Sequence, residues 1–299
     1  MSPDQPPAPD PSVTFPLMKQ LGFNLARVDN LDWNYMYQNQ SQCQQLLEQV
    51  ANYADQSGVS CIYHFGGQNS NVMPRALTSL YSSISAFYDA WWANQTIPSG
   101  RYAGLTLWEA SYQGFWKPVL QAVDSHKSTI GYGLWNEPSG LPNSPGPLVT
   151  LHNYYTYITQ RIRSVSKKVI TFQVTSNGGG DASSIAAVAP TQDLLPYAFE
   201  GHMYSYDPAA FAGWAQGVQK IGGYGLLGEW HVSPSDSNLE QDITLYLNLV
   251  KQYGFATTWY SWTCGGNTDL LQPTSCQPTS ECQLLSTLYT KVLGTPSYP

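Results

Sequence analysis

The chain has 299 residues and is acidic, with 13 lysine and arginine residues against 20 aspartate and glutamate residues and a net charge of −7. The basic residues are scattered, so we expect no nucleic-acid partner and no polybasic membrane anchor. No apolar run is long enough to predict a transmembrane helix, and the first residues lack the pattern of a signal peptide. A chain of this length can form one large domain with a sizeable core.

Residues 1–11 contain five prolines and predict a linker-like tail, which leaves residues 12–299 as one domain. In that domain, short apolar segments alternate with segments of helical periodicity. The predicted strands are 22–28, 59–65, 130–136, 169–175, 198–204, 225–229 and 256–262. The predicted helices are 41–57, 76–95, 113–125, 150–166, 208–220, 238–253 and 283–293.

Strict alternation of strands and helices predicts βαβ units with a parallel sheet. Polar residues at the carboxyl ends of the strands favour a (β/α)8 TIM barrel, an α/β fold with its active site on that face. An open doubly wound sheet is the competing fold, but no glycine-rich dinucleotide motif follows any strand. Only seven strands are evident. Residues 15–22 predict a helix, so the first barrel strand is either missing or an irregular segment at 12–15.

Two glutamates end apolar segments: Glu137 ends the run that starts at Ile130, and Glu229 ends the run that starts at Tyr224. Carboxylates at the ends of buried strands predict a reaction centre in a chain with only 11% charged residues. Hydrolysis of a glycosidic bond requires two carboxylates, one to protonate the leaving oxygen and one to attack or to activate water. The alternative interpretation is a turn at Asn136–Pro138 and a chance surface acid at Glu229.

Five cysteines, an odd number, exclude a fully paired set of intramolecular disulfides. Cys264, Cys276 and Cys282 lie close together in a loop-like segment and predict one disulfide in an oxidising compartment. A metal site is the alternative, but the spacing is not that of a zinc motif and no histidine accompanies it. Cys43 and Cys61 are not expected to pair, because a predicted helix separates them.

The chain resembles glycoside hydrolase clan A, and most closely family 5, the cellulase and mannanase family. The resemblance extends from about residue 15 to 293, and its motifs occur in the order of the family. These motifs are Gly22-Phe23-Asn24-Leu25-Ala26-Arg27, Tyr63-His64-Phe65, Trp135-Asn136-Glu137-Pro138, His202-Met203-Tyr204, Gly228-Glu229 and Trp259-Tyr260-Ser261-Trp262.

The resemblance implies roles for residues of the two acidic motifs. Glu137 would be the general acid and base, and Asn136 would bond the sugar 2-hydroxyl. Glu229 would be the nucleophile and must be ionised. Arg27 would hold Glu229 in a two-pronged bond and lower its pKa. Retention also implies that the two carboxyl carbons lie about 5 to 5.5 Å apart.

Further site residues are implied at the ends of other strands. Tyr204 would donate to Glu229, whereas His64 and His202 would bond the catalytic groups or sugar hydroxyls. Trp262 would form the stacking floor for the sugar, with core packing as its alternative. The same choice between sugar subsites and packing applies to three other tryptophans: Trp33, Trp108 and Trp230.

The implied function is that of a retaining, endo-acting β-glycosidase, with endo-β-1,4-glucanase ahead of endo-β-1,4-mannanase. A non-catalytic carbohydrate-binding barrel is the alternative of another class. We expect a polysaccharide or oligosaccharide substrate, no cofactor, no metal and a monomer. The aromatic, lysine-poor composition is typical of secreted polysaccharide-degrading enzymes, so we expect a secreted protein whose signal segment has been removed. The alternative is an intracellular protein. A long segment at 66–110 touches the cleft rim and leaves the choice between glucan and mannan open.

Overall fold

The computed structural model describes residues 10–67, 72–174, 179–233, 235–263, 270–272 and 275–294. Seven strands in these residues form one sheet in chain order, and every neighbouring pair is parallel. The strands are β1 (Leu25–Leu31), β2 (Ser60–Phe65), β3 (Thr129–Gly133), β4 (Val169–Gln173), β5 (Tyr197–Met203), β6 (Tyr224–Trp230) and β7 (Ala256–Thr257).

Helices alternate with the strands and cover the outside of the sheet, as in a (β/α)8 TIM barrel, so the predicted fold class is confirmed. No ladder joins β7 to β1 within the described ranges, and the barrel is nearly closed. The α-helices are α1 (Pro11–Gln20), α2 (Trp33–Gln38), α3 (Gln40–Ser57), α4 (Arg75–Thr78), α5 (Ile84–Trp92), α6 (Leu107–Ser111), α7 (Lys117–Val123), α8 (Pro147–Arg163), α9 (Ala182–Val188), α10 (Pro208–Lys220), α11 (Leu239–Tyr253) and α12 (Ser280–Leu293).

The chain enters the barrel through a helix. Asp10 caps α1, its side chain accepting from the Ser12 N–H at 2.8 Å, and Pro11 takes the first helical position, where it sacrifices no hydrogen bond. The alternative of a strand at 12–15 is therefore wrong. The predicted tail lies outside the described residues over 1–9, and Pro11 already belongs to α1.

Most predicted elements are shifted by a few residues, and three of them differ for a clear local reason. β1 begins at Leu25 because the preceding turn, with Gly22 at φ 81°, occupies the start of the predicted strand. The helix predicted at 76–95 is two helices, because Ser83 caps α5 by accepting from the Ala86 N–H. β7 spans only Ala256–Thr257, so the residues that follow leave the regular alternation of a strand.

The core is rich in aromatic rings, and packing explains three tryptophans. Trp33 and Trp230 have no exposed surface and Trp108 is buried, so the packing alternative holds for all three. Trp33 contacts Trp91 edge to face, and Trp230 contacts Trp259 in the same way. In the described ranges, no helix is both long enough and apolar enough to cross a bilayer.

The cysteines pair only in part. Cys276 is disulfide-bonded, and its partner lies outside the described residues, as Cys264 does. Cys43, Cys61 and Cys282 are free. The expectation that Cys43 and Cys61 do not pair is confirmed, and one disulfide is present in the predicted loop.

At the amino-terminal end of the barrel, one arginine and one lysine side chain connect the loops that lead into the strands. Arg163, at the end of α8, donates to four backbone carbonyls: those of Leu194, Ser166, Lys168 and Pro196. Lys168 donates from Nζ to the carbonyl of Thr129 at 2.5 Å. These bonds satisfy carbonyls that helix ends and strand starts leave without partners.

Candidate active site

The carboxyl ends of the strands bring most of the predicted polar residues into one cluster. Parallel strands end at one face of the barrel, and residues two apart on a strand point the same way. The cluster comprises Arg27 on β1, His64 on β2, Asn136 and Glu137 after β3, Gln173 on β4, Glu200 and His202 on β5, Tyr204 after β5 and Glu229 on β6.

Two side chains hold Glu229 in place. Arg27 donates from Nη1 to Glu229 Oε1 at 2.8 Å and from Nη2 to Asn136 Oδ1 at 2.6 Å. Tyr204 donates its hydroxyl to Glu229 Oε2 in a short hydrogen bond. The contact of Tyr204 is as predicted, but the two-pronged bond predicted from Arg27 to Glu229 is wrong, because Nη2 of Arg27 bonds Asn136 instead. Together Arg27 and Tyr204 fix the orientation of Glu229, which is only 5% exposed.

Glu137 has a different environment, although it faces the same cleft. Its backbone adopts φ 48°, a left-handed conformation that is costly for a residue with a side chain. Its N–H donates to Gln173 Oε1 at 2.7 Å, which holds this conformation. The carboxylate accepts from His202 Nδ1 at 2.9 Å and is 36% exposed, far more than that of Glu229.

The two glutamate side chains approach each other closely. One carboxylate oxygen of each lies within 4.8 Å of the other, with a ring nitrogen of His202 in the same group. His202 Nδ1 is 3.5 Å from Glu229 Oε2 as well as 2.9 Å from Glu137 Oε1. A small reacting centre therefore fits between one buried and one accessible carboxylate.

Burial dominates the ionisation of Glu229. Removal from water raises the pKa of this carboxyl, and the nearby charge of Asp29 raises it further, whereas Arg27 and His202 lower it. The net direction is upward. Arg27 lowers the pKa of Glu229 as predicted, but burial and the second carboxylate, Asp29, which the prediction omitted, outweigh this influence.

Two neighbours of the glutamates are held in their donor forms. Burial lowers the pKa of His202, but hydrogen bonds to Glu137 and Glu200 and the charge of Glu200 raise it to about 9. Burial and the negative charge of Glu229 raise the pKa of Tyr204. His202 is consequently an imidazolium near neutral pH, and Tyr204 keeps the proton that it donates.

His64 lies one layer below the glutamates. Its ring is fully buried, and Nε2 is 3.0 Å from Glu200 Oε2, while Nδ1 is 3.2 Å from the carbonyl of Phe65. A Cβ added at Gly133 would collide with this ring, so glycine makes the space for it. These contacts of His64 include neither Glu137 nor Glu229, and the predicted alternative, a bond to a sugar hydroxyl, stays a prediction.

Sequence reasoning missed two carboxylates of the cluster. Asp29 Oδ2 lies 2.7 Å from Arg27 Nη1, and Glu200 Oε1 lies 2.7 Å from Arg27 Nε. The Arg27 Nε–H does not point along a hydrogen bond, so the contact with Glu200 is an ion pair without one. The alternation of side chains along a strand could have identified them. Asp29 is two residues from Arg27 and Glu200 is two residues from His202, so each shares a face with a predicted site residue.

The aromatic residues after β7 differ in placement. Trp262 is half-buried and packs edge to face against Phe23, with ring centroids 5.8 Å apart. Tyr260 is 39% exposed, and its ring centroid is 6.2 Å from that of Tyr204, the donor to Glu229. The predicted stacking floor at Trp262 stays a prediction, and Tyr260 is an exposed ring beside the side chain that bonds Glu229.

Glu137, His202 and Glu229 also have donor atoms at the spacing of a metal site, all within 4.8 Å of one another. A histidine ligand must be neutral, whereas the pKa of His202 is about 9. Arg27 adds a second positive charge 2.8 Å from Glu229. In this charge state the three side chains suit a neutral substrate better than a cation.

Comparison with known proteins agrees with this geometry. The sequence matches the family model for cellulase (glycosyl hydrolase family 5) over residues 9–266. No curated protein sequence matches the chain.

Solved structures share the fold. Endoglucanase Cel5A from Pseudomonas stutzeri has a TM-score of 0.69 at 16% identity, covering 96% of this chain and 88% of that chain. Endo-glycoceramidase II from Rhodococcus sp. has a TM-score of 0.72 at 15% identity, covering 93% of this chain and 73% of that chain. Since the family model spans most of the sequence, the chain belongs to glycosyl hydrolase family 5 and is a glycoside hydrolase.

Proposed function

We propose that the chain is a retaining, endo-acting β-glycosidase that hydrolyses a β-1,4-linked glucan. The observation that carries the retaining mechanism is the approach of Glu137 and Glu229 to within 4.8 Å between carboxylate oxygens. Inverting enzymes separate their carboxyl groups by roughly 6.5 to 9.5 Å to admit a water, and retaining enzymes by about 5 to 5.5 Å. The 4.8 Å limit applies to one oxygen of each carboxylate and is not itself the separation of the carboxyl groups. An approach this close favours the shorter separation and so supports direct attack by one carboxylate.

The two environments assign the two roles. Glu229 is buried and oriented by Arg27 and Tyr204, so it attacks the anomeric carbon and forms a glycosyl ester. Glu137 is accessible and protonates the departing glycosidic oxygen in the same step. In the second step Glu137 takes a proton from water, which attacks the anomeric carbon and releases Glu229 as the carboxylate.

The neighbours of the glutamates support these steps. Arg27 positions Asn136 as well as Glu229, which leaves the Asn136 amide to bond the sugar 2-hydroxyl as charge develops at the anomeric carbon. His202 bonds Glu137 and stabilises its ionised form after the proton has left. An exposed ring at Tyr260, or the floor predicted at Trp262, would support the sugar face.

The substrate class is proposed from the family and its neighbours. Pseudomonas stutzeri endoglucanase Cel5A is also solved in complex with cellobiose, with a TM-score of 0.68 to this chain. The Rhodococcus endo-glycoceramidase II forms a lactosyl-enzyme intermediate. We place cellulose first and β-mannan second. The disulfide at Cys276 supports secretion, because disulfides persist in oxidising compartments.

The test is a reducing-sugar assay of the purified chain on carboxymethyl-cellulose, mannan, xylan and β-1,3-glucan, with Glu229→Gln as the matched control. We expect release from carboxymethyl-cellulose above the other polymers, with a fast fall in viscosity that marks internal cleavage. Glu229→Gln should still bind but should lose at least about 10⁴-fold in kcat. Binding by wild type without release from any polymer would favour the non-catalytic carbohydrate-binding barrel.

A further inference from the structure

Glu200 is a buried carboxylate that the proposed reaction does not use directly. Its side chain has no exposed surface, yet ion pairs and hydrogen bonds reach it from three other strands, β1, β2 and β4, and from its own strand, β5. These contacts are Arg27 Nε at 2.7 Å and His202 Nε2 at 3.0 Å to Oε1, and His64 Nε2 at 3.0 Å and Thr171 Oγ1 at 3.3 Å to Oε2.

A fifth strand makes room for this carboxylate. A Cβ added at Gly228 on β6 would collide with Glu200 Oε1, so only glycine fits there. A carboxylate withdrawn from water is stable only when several charged or polar donors surround it. Five strands therefore converge on one side chain at the level just below the cleft.

Glu200 is joined to both catalytic glutamates through one intermediate each. Arg27 contacts Glu200 through Nε and Glu229 through Nη1. His202 contacts Glu200 through Nε2 and Glu137 through Nδ1. A guanidinium and an imidazole are planar and rigid, so fixing one edge of each fixes the edge that faces the cleft.

We propose that Glu200 is the positioning residue of this site, holding Arg27 and His202 in place and, through them, Glu229 and Glu137. The inference rests on the proposed function, because it takes those two glutamates as nucleophile and acid. Glu200 touches no reacting atom itself. Its effect is on the orientation and charge of the two side chains that do contact the glutamates.

The charges around His202 agree with this role. Burial raises the pKa of Glu200, but Arg27, His64 and hydrogen bonds from both histidines bring it well below its usual range. His202 thus faces two carboxylates, Glu200 and Glu137, with Glu229 3.5 Å away, against the one opposing charge of Arg27. Gln173 Nε2, which can only donate, also lies 2.9 Å from His202 Nε2 and would bond it only if that ring nitrogen carried no proton. The charged bond to Glu200 is the stronger one, so Nε2 carries a proton.

The first test needs no variant. In ¹⁵N-histidine-labelled wild type, whose five histidines give few signals, His202 is assigned by the signal lost in His202→Gln. We expect both ring nitrogens of His202 to be protonated at pH 7, with titration at about 9. A neutral His202 at pH 7 would overturn the proposal, whether or not any Glu200 variant folds.

The second test is Glu200→Gln, which keeps the shape of the side chain and removes its charge. We expect His202 to be neutral at pH 7, kcat to fall about 10²-fold with KM changed less than threefold, and the alkaline limb to move to higher pH. The limb moves because a neutral His202 no longer gives Glu137 a charged hydrogen bond. A purely structural defect would lower the folded fraction without moving the limb.

Asp124→Asn is the matched control. Asp124 accepts from Tyr132 Oη at 2.7 Å and Ser166 Oγ at 2.6 Å at the opposite end of the barrel, so the substitution removes a hydrogen-bonded carboxylate without touching the cleft. An active wild type whose kcat, pH profile and His202 signal are unchanged by Glu200→Gln would refute the positioning role. Lack of hydrolysis by wild type would refute the proposed function instead, and the His202 titration would still test the contact with Glu200.

Discussion

The two ends of the barrel both concentrate charge, but they use it differently. At the carboxyl ends of the strands, Arg27 lies within 2.8 Å of three side-chain carboxylates: Asp29, Glu200 and Glu229. At the amino ends, Arg163 donates only to backbone carbonyls. Arg27 influences the ionisation of carboxylates, which titrate, whereas Arg163 provides hydrogen bonds to backbone carbonyls, which do not. Substitutions should therefore separate activity at one end from stability at the other.

The largest effect that tests this contrast is expected for Glu137→Ala. Loss of general acid catalysis should lower kcat by about 10² to 10⁴-fold on glycosides with poor leaving groups. Activated aryl glycosides need little protonation, so they should still form the glycosyl-enzyme. Rates on both substrate types separate the outcomes, and an equal loss on both would remove the acid role from Glu137.

The next effect concerns Arg27→Met and the acidic limb of the pH profile. Glu229 must be ionised, and burial already raises its pKa, so the limb of wild type should lie above pH 4.5, the ordinary value. Without Arg27 the remaining influences of burial and Asp29 raise this pKa further, and the limb should move to higher pH.

Arg27→Lys is the control for the Arg27→Met shift, because it keeps the charge and loses the planar fork. Its acidic limb should move less than that of Arg27→Met. Breaking a buried ion pair also costs about 3 to 5 kcal/mol of stability, so limb position and not total activity is the measurement. An unmoved limb in Arg27→Met would show that Arg27 does not act on Glu229.

A smaller effect, on stability and not on activity, is expected for Arg163→Met. Four carbonyls lose a charged donor, and water replaces it only in part, so the free energy of unfolding should fall by about 2 kcal/mol. The kcat of the folded fraction should equal that of wild type. Urea unfolding and active-site titration measure the two quantities, and a changed kcat would mean that the ends of the barrel are coupled.

The smallest effect should come from Asp55→Asn, which removes an anion at the amino end. Asp55 accepts from the Ser128 N–H at 2.6 Å and His126 Nδ1 at 2.8 Å. Burial raises its pKa, but these bonds leave it below the ordinary value of 3.8. Its stabilisation is therefore present above pH 3.8 and is lost as the pH falls through the lower folded pKa.

We expect Asp55→Asn to cost about 1 kcal/mol or less at pH 6, because the pair is near the surface. The difference from wild type in urea unfolding should shrink as the pH is lowered below 3.8, the ordinary pKa. A difference that persisted at the lower pH would show that the side chain acts by shape and not by charge.

Strand ends and period two account for what the sequence could predict of the site. Glu137 and Glu229 were identifiable because each ends an apolar run, and Arg27 because it lies within one. Glu200 and Asp29 carried the same signal, two residues from His202 and Arg27, but a carboxylate inside a strand has no visible partner until the strands are side by side.

The residues after β7 lay beyond prediction for a different reason. β7 ends at Thr257, so alternation no longer says which way the later side chains point. Trp262 packs against Phe23, whereas Tyr260 lies beside Tyr204. The helix predicted at 76–95 was wrong for a related reason. Its periodic pattern is continuous, but a local cap at Ser83 divides it into two helices.

The measurement that tests the central claim most directly is covalent trapping with an activated 2-deoxy-2-fluoro cellobioside, followed by mass mapping of the labelled peptide. A nucleophilic Glu229 that is buried and oriented by Arg27 and Tyr204 should carry one glycosyl group, and the protein should lose activity as label accumulates. Glu229→Gln should take up no label. Label on another residue of an active enzyme, or turnover with inversion of the anomeric centre, would contradict the account.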